Sequence, residues 1–242
     1  MKRKCILFTI LAILVISFVF QAKIERMLSP VIHRIKGMAT VSDRIEQYGS
    51  QVRERMKPYF ESASVQYPPS ELIFVGIKQE KRLEVWAKDS NTEFRKINDY
   101  KILGSSGVLG PKLKEGNRQV PEGIYKIESL NPNSSFHLSL RLNYPNAFDL
   151  KHAKEDGQKN PGGDIMIHGS SVSIGCLAMG NKPIEEIFIL AADTGIKNIN
   201  VILTPVDFRK TELPETTSNL PEWADELYSN IEKELEQLEP NI

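Results

Sequence analysis

The run His168-Gly169-Ser170-Ser171-Val172-Ser173-Ile174-Gly175-Cys176 brings an imidazole and a thiol together across small and hydroxylated residues. A thiol attacks as its thiolate. A cysteine nucleophile therefore needs a base or positive neighbour to ionise it, and a tight turn that presents the sulfur to a carbonyl carbon. His168 is the candidate base, Gly175 gives the backbone freedom for the turn, and Gly169 allows another group to approach the main chain closely. Asp164 to Ile167 reads as the end of a buried strand that holds His168 rigidly. Taken alone, a cysteine in a folded domain is more often a small buried hydrophobe than a catalyst. Here Cys176 is the only cysteine outside the N-terminal apolar run, and its segment, with two glycines and three serines, makes a poor core strand. No second cysteine, ligand-spaced histidine or acidic pair accompanies the site, so neither a metal nor a cofactor is expected.

These residues resemble the signature of the L,D-transpeptidase catalytic domain, the YkuD-type family of peptidoglycan enzymes. Gly110-Pro111-Lys112, Arg118 to Tyr125 and Leu142 to Asp149 carry further motifs of that resemblance, in order, within about Leu72 to Pro205. The resemblance implies that Cys176 forms a thioester with the substrate acyl group and that His168 activates it. Gly169, Ser173 and Gly175 would shape the pocket, and the backbone N–H of Cys176 would face the oxyanion. Many members of the family carry a second histidine where this chain has Ile174, which leaves open what orients the imidazole.

What the resemblance implies for function is acyl transfer on peptidoglycan stem peptides at diaminopimelate. Hydrolytic release of a wall-attached lipoprotein is favoured by the branch of the family that the motifs match. The alternatives are formation of cross-links or attachment of lipoprotein by transpeptidation, a non-catalytic wall-binding module, and a cysteine hydrolase with an unrelated exported substrate. Stem peptides offer carboxylates that a guanidinium can hold bidentately, so Arg141, with Lys112 and Tyr144, is a candidate substrate-binding residue. The same cations read equally as solvated surface charges, and Tyr144-Pro145-Asn146 as an ordinary turn.

Positive and negative side chains balance at 31 each, so the net charge gives no sign of a nucleic-acid partner. The N-terminus supplies a compartment. Met1-Lys2-Arg3-Lys4 precedes an apolar run from Cys5 to Phe20, as in a secretory signal or a signal anchor. A run of about 16 residues falls short of the ~20 that span a bilayer comfortably, which favours a signal peptide over an anchor. Export to the periplasm or cell envelope follows, with membrane contact only through an uncleaved N-terminus.

The elements that must position the pair come next. Residues 71–78, 82–88 and 94–103 read as a meander of strands, with further strands at 125–127, 136–140 and 200–204. Residues 183–192 read as a helix, with Pro183 in its first turn. The expectation is a mainly β (α+β) catalytic domain, a β-sandwich or barrel-like core with one helix packed after the nucleophile. Helical extensions flank it: a spacer over 23–70, with Ser42-Asp43 as its cap, and an amphipathic helix over 221–238. Signal, spacer, catalytic domain and C-terminal extension then divide at 1–22, 23–70, 71–206 and 207–242. Residues 151–163, polar and glycine-containing, read as a mobile loop entering the His168 strand.

Overall fold

Helix α1, Val41–Ala63, is the first element of the computed structural model, which describes residues 37–215, 217 and 220–238. The expected signal at 1–22 and the first part of the spacer lie outside the described residues. The start of α1 is fixed by Thr40 as the cap, with Asp43 of the expected Ser42-Asp43 pair as its reciprocal partner. The Thr40 hydroxyl accepts from the Asp43 N–H (3.1 Å), and the Asp43 carboxylate accepts from the Thr40 N–H (2.7 Å). This reciprocal box satisfies two of the donors that a helix start leaves free. Val52, Met56 and Phe60 recur at helical spacing on one face of α1 and are fully buried, so the helix belongs to the core from Thr40 onward.

The strands are β1 (Glu71–Ile77), β2 (Arg82–Lys88), β3 (Arg95–Lys101), β4 (Gly123–Asn131), β5 (Ser139–Leu142), β6 (Met166–His168), β7 (Leu177–Ala178) and β8 (Ile199–Thr204). They form one curled mixed sheet in the order β3-β2-β1-β8-β4-β5-β6-β7. The pairs β1/β8 and β6/β7 are parallel, and the remaining neighbours are antiparallel. Three further helices are α2 (Ala147–Glu155), α3 (Asn181–Thr194) and α4 (Ala224–Glu236).

Burial follows the period of two along β1. Leu72 and Phe74 join α1 and α3 in one apolar cluster, whereas Ile73, Val75 and Ile77 join Leu227, Ile231 and Leu235 of α4 in another. Helices thus cover both faces of the central strands, each fully buried aliphatic side chain contributing about 1.5–3 kcal/mol. The mainly β architecture with a helix packed after Cys176 is as expected, realised as a single curled sheet between helices. Two local expectations fail. Residues 147–155 are helical where a loop began at 151, because Asn146 and Asp149 form a second reciprocal capping box. Phe136 and His137 lie outside β5, and His137 takes a left-handed backbone conformation (φ 78°) that a strand does not allow.

Candidate active site

Strands β5, β6 and β7 build the site. Ile167 pairs with Leu177 and His168 with Ala178 in parallel, so Cys176, the residue before β7, comes alongside Met166. Side chains alternate along a strand, which puts His168 and Cys176 on one face as diagonal neighbours roughly 7–8 Å apart at the backbone. Across β5, Ser139 opposes His168 and Arg141 opposes Met166. Arg141 therefore shares the face of Cys176, two strands away.

His168 is buried, and its Nδ1 makes a 2.6 Å hydrogen bond with the carbonyl of Gly169. The carbonyl can only accept, so Nδ1 carries the proton and Nε2 keeps a free lone pair. Phe136 stacks on the ring with centroids 4.6 Å apart. Carbonyl and phenyl together orient the imidazole, the role that Ile174 cannot fill. Ile174 itself is 69% exposed. Burial lowers the His168 pKa from its ordinary value, partly offset by the Gly169 bond.

Cys176 sits past a turn in which Gly175 is left-handed (φ 98°). The Ser173 hydroxyl accepts from the Cys176 N–H (2.9 Å) and donates back to the Cys176 carbonyl. The Gly175 N–H donates to Ser106 Oγ (2.7 Å). The amide expected to face the oxyanion is therefore held by a serine hydroxyl in this state. Sγ donates to the carbonyl of Asp164 at 3.5 Å. Burial raises the thiol pKa, the Met166 backbone lowers it in part, and the nearby Asp164 carboxylate adds a smaller rise. Asp164 is not a strand residue as expected but a left-handed one (φ 56°), turned just before β6 begins.

The loop over residues 104–122 walls the nucleophile turn. Gly104 bridges to Ala178, and the side chain of Gln119 bonds Val108 and Gly110 next to Gly175. Beneath it, Glu122 accepts from Lys78 Nζ (2.7 Å), the Gly110 N–H (2.8 Å) and Tyr228 Oη of α4 (2.9 Å). At the other end, the Asn181 side chain at the start of α3 accepts from the Ser170 N–H.

Of the residues singled out from the sequence, Cys176, His168, Gly169, Ser173, Gly175 and Arg141 come together on these strands. Lys112 and Tyr144 do not join them as ligands. Lys112 Nζ is spent on the Lys114 carbonyl and Asn117, and the buried Tyr144 hydroxyl on the carbonyls of Lys112 and Pro161. Lys112 thus bonds within its own loop, and Tyr144 ties that loop to the segment leading to Asp164. Ser106, Gln119, Phe136 and Asp164 were not singled out. Their approach is set by tertiary structure, and only the capacity of each type for a hydrogen bond or a stack was visible. Among the described residues no group of three or more His, Cys, Asp or Glu side chains could hold a metal ion.

The family model of the L,D-transpeptidase catalytic domain (YkuD) matches residues 70–203, more than half of the chain and the whole of this site. The chain belongs to that family. YafK of Escherichia coli (strain K12) is 34% identical over 174 residues, covering 69% of this chain and 64% of YafK. The chain thus spans less than two thirds of that relative's length. Among solved structures, the helical cell shape determining protein Pgp2 of Campylobacter jejuni aligns at 20% identity with a TM-score of 0.46, over 63% of this chain and 56% of Pgp2. Bd1075 of Bdellovibrio bacteriovorus aligns at 18% identity and a TM-score of 0.43, over 72% and 56%. As an L,D-transpeptidase family member, the chain carries its thiol and imidazole within the matched segment.

Proposed function

We propose that this chain is an exported cysteine acyl-transfer enzyme that acts on peptidoglycan stem peptides at diaminopimelate and releases wall-attached lipoprotein by hydrolysis. The observation that carries the acyl-transfer chemistry is the placement of Cys176 and His168 on one face of two paired strands, with the imidazole fixed so that Nε2 is its free base.

The sulfur leaves the Asp164 carbonyl, passes its proton to Nε2 of His168, and forms a bond to the carbonyl carbon of the stem diaminopimelate. The tetrahedral oxyanion collapses, the C–N bond breaks, and the leaving amine takes the proton from His168. The resulting thioester is cleaved by water, whose proton passes again through His168 and returns to the thiol. Arg141, on the same face, holds a substrate carboxylate, while Gly169, Ser173 and Gly175 shape the cleft.

Cleavage by an amine instead of water would make cross-links or attach lipoprotein. Family membership and the match to a relative named as a putative L,D-transpeptidase support that second reading. The hydrolytic one rests on the motifs of residues 110–112, 118–125 and 142–149, which resemble a lipoprotein-releasing branch of the family.

Mass spectrometry of purified muropeptides, with and without an amide-linked polypeptide, tests the assignment. Wild-type protein should yield freed polypeptide and a trimmed stem, and Cys176→Ala should yield neither. Activity retained in Cys176→Ala overturns the thioester route, and new cross-links in place of freed polypeptide select transpeptidation.

A further inference from the structure

Asp164 links the nucleophile to Arg141. Its carbonyl accepts the Cys176 thiol at 3.5 Å, its carboxylate meets Arg141 Nη1 at 2.8 Å, and its backbone is left-handed, a conformation uncommon outside glycine. Arg141 is held from the far side by Glu128 (2.7 Å). The clamp is therefore a row of Glu128, Arg141, Asp164 and the sulfur, in which a cation sits between two carboxylates and the second of these controls the thiol's partner.

We propose that Asp164 is a positioning residue for Cys176: pinned through Arg141, it aims its carbonyl at the thiol and keeps the sulfur protonated until a substrate carboxylate takes Arg141. The inference rests on the acyl-transfer reading for the nature of the substrate, but not for the placement of the sulfur. A thiol that donates to a carbonyl is not donating to an imidazole, so the pair has to be rearranged before attack. Once Arg141 is occupied by another carboxylate, Asp164 loses the ion pair that helps hold its left-handed conformation. Its exposed side chain swings to water, the carbonyl turns away, and the sulfur is free to face Nε2 of His168. Substrates lacking the carboxylate would leave the thiol parked, which couples recognition to nucleophile activation.

The charged and titratable groups around Cys176 are few. Asp164 precedes β6, His168 ends it, Arg141 with Glu128 lies across β5 and β4, and the backbone of Arg118 approaches Gly175 from the 104–122 loop. Among these groups, Asp164 is the one bonded to the thiol, and the Met166 backbone also acts on it.

The test is the rate of iodoacetamide alkylation of Cys176 against pH in the full chain, which requires no turnover. Asp164→Asn, which removes the charge and tolerates the left-handed backbone, should move the thiol midpoint down and speed alkylation at neutral pH severalfold. Asp164→Gly should behave like Asp164→Asn, whereas Asp164→Ala, whose Cβ disfavours that backbone, should react faster still. Loss of charge alone predicts equal rates for all three. Free diaminopimelate should accelerate alkylation of wild-type protein and leave Arg141→Gln unchanged. Profiles of the folded Asp164 variants that coincide with wild type, or that rise equally in all three, overturn the positioning role, and an absence of acceleration by diaminopimelate overturns the release step. Failure to process muropeptides with these profiles intact overturns the proposed function instead.

Discussion

The rings of Phe136 and His168 lie stacked, with their planes 30° apart and their centroids separated by 4.6 Å. Phe136 is 43% exposed, so its phenyl adds little to the core and much to the placement of the imidazole. Phe136→Ala should cost about 1 kcal/mol of stability or less, yet slow turnover roughly tenfold by loosening the base. Phe136→Tyr should restore the rate. Parallel thermal denaturation and single-turnover kinetics separate the two effects.

Ser173 bonds both the N–H and the carbonyl of Cys176. Ser173→Ala removes both bonds and should destabilise the nucleophile turn by about 1–2 kcal/mol. Ser173→Thr keeps the hydroxyl and should retain most activity. Amide hydrogen exchange at Gly175 and Cys176 should rise in the alanine variant alone.

The pH dependence follows from the two opposed shifts. Burial lowers the His168 pKa below its ordinary 6.5 and raises that of Cys176 above its ordinary 9.0, so both groups are uncharged at neutral pH. Turnover should fall on acidification only below pH 6.5, as Nε2 becomes protonated. In His168→Ala, alkylation of the thiol should keep rising above pH 9. The folded state binds fewer protons at His168 than the unfolded chain does, so stability from this group is lost as pH falls through 6.5. Kinetic pH profiles of wild type and His168→Ala check the kinetic part, and denaturation midpoints around pH 6 check the linkage.

Asp149 titrates the other way. Burial raises its pKa from 3.8 to about 6, against hydrogen bonds from Asn146 and Tyr125 that lower it. The folded protein binds more protons at this group than the unfolded chain between these values. Its contribution is therefore full below pH 3.8 and lost as pH rises through 6, a change of about 3 kcal/mol. Urea denaturation across this range should show the loss in wild type, and Asp149→Asn should flatten it.

Local patterns in the chain were sufficient for some elements and silent on others. β2 occupies Arg82–Lys88, as its β-branched and aromatic residues indicate, since burial on both faces rewards them wherever they pair. Cys176 and His168 were legible because glycine, serine, thiol and imidazole lie within one run. Helix α2 was missed because its apolar face is weak, although the Asn146/Asp149 spacing carried the capping signal. Ser106, Gln119 and Phe136 reach the site only through the closure of distant loops, which no window of sequence contains. Lys112 and Tyr144 show what spacing does not reveal: polar groups in motif-bearing loops also hold the loops themselves.

The acid beneath the nucleophile wall has a further implication. Glu122 is shared by Lys78 at the end of β1, by Gly110 in the wall and by Tyr228 in α4, and the last of these lies beyond residue 203, where the family match ends. A fragment cut at the homology boundary would uncover the apolar face that α4 seals and strip one donor from an enclosed carboxylate. The tail is thus a keystone for the floor under Ser106 and Gln119. The packed unit reaches past the segment that the family model matches.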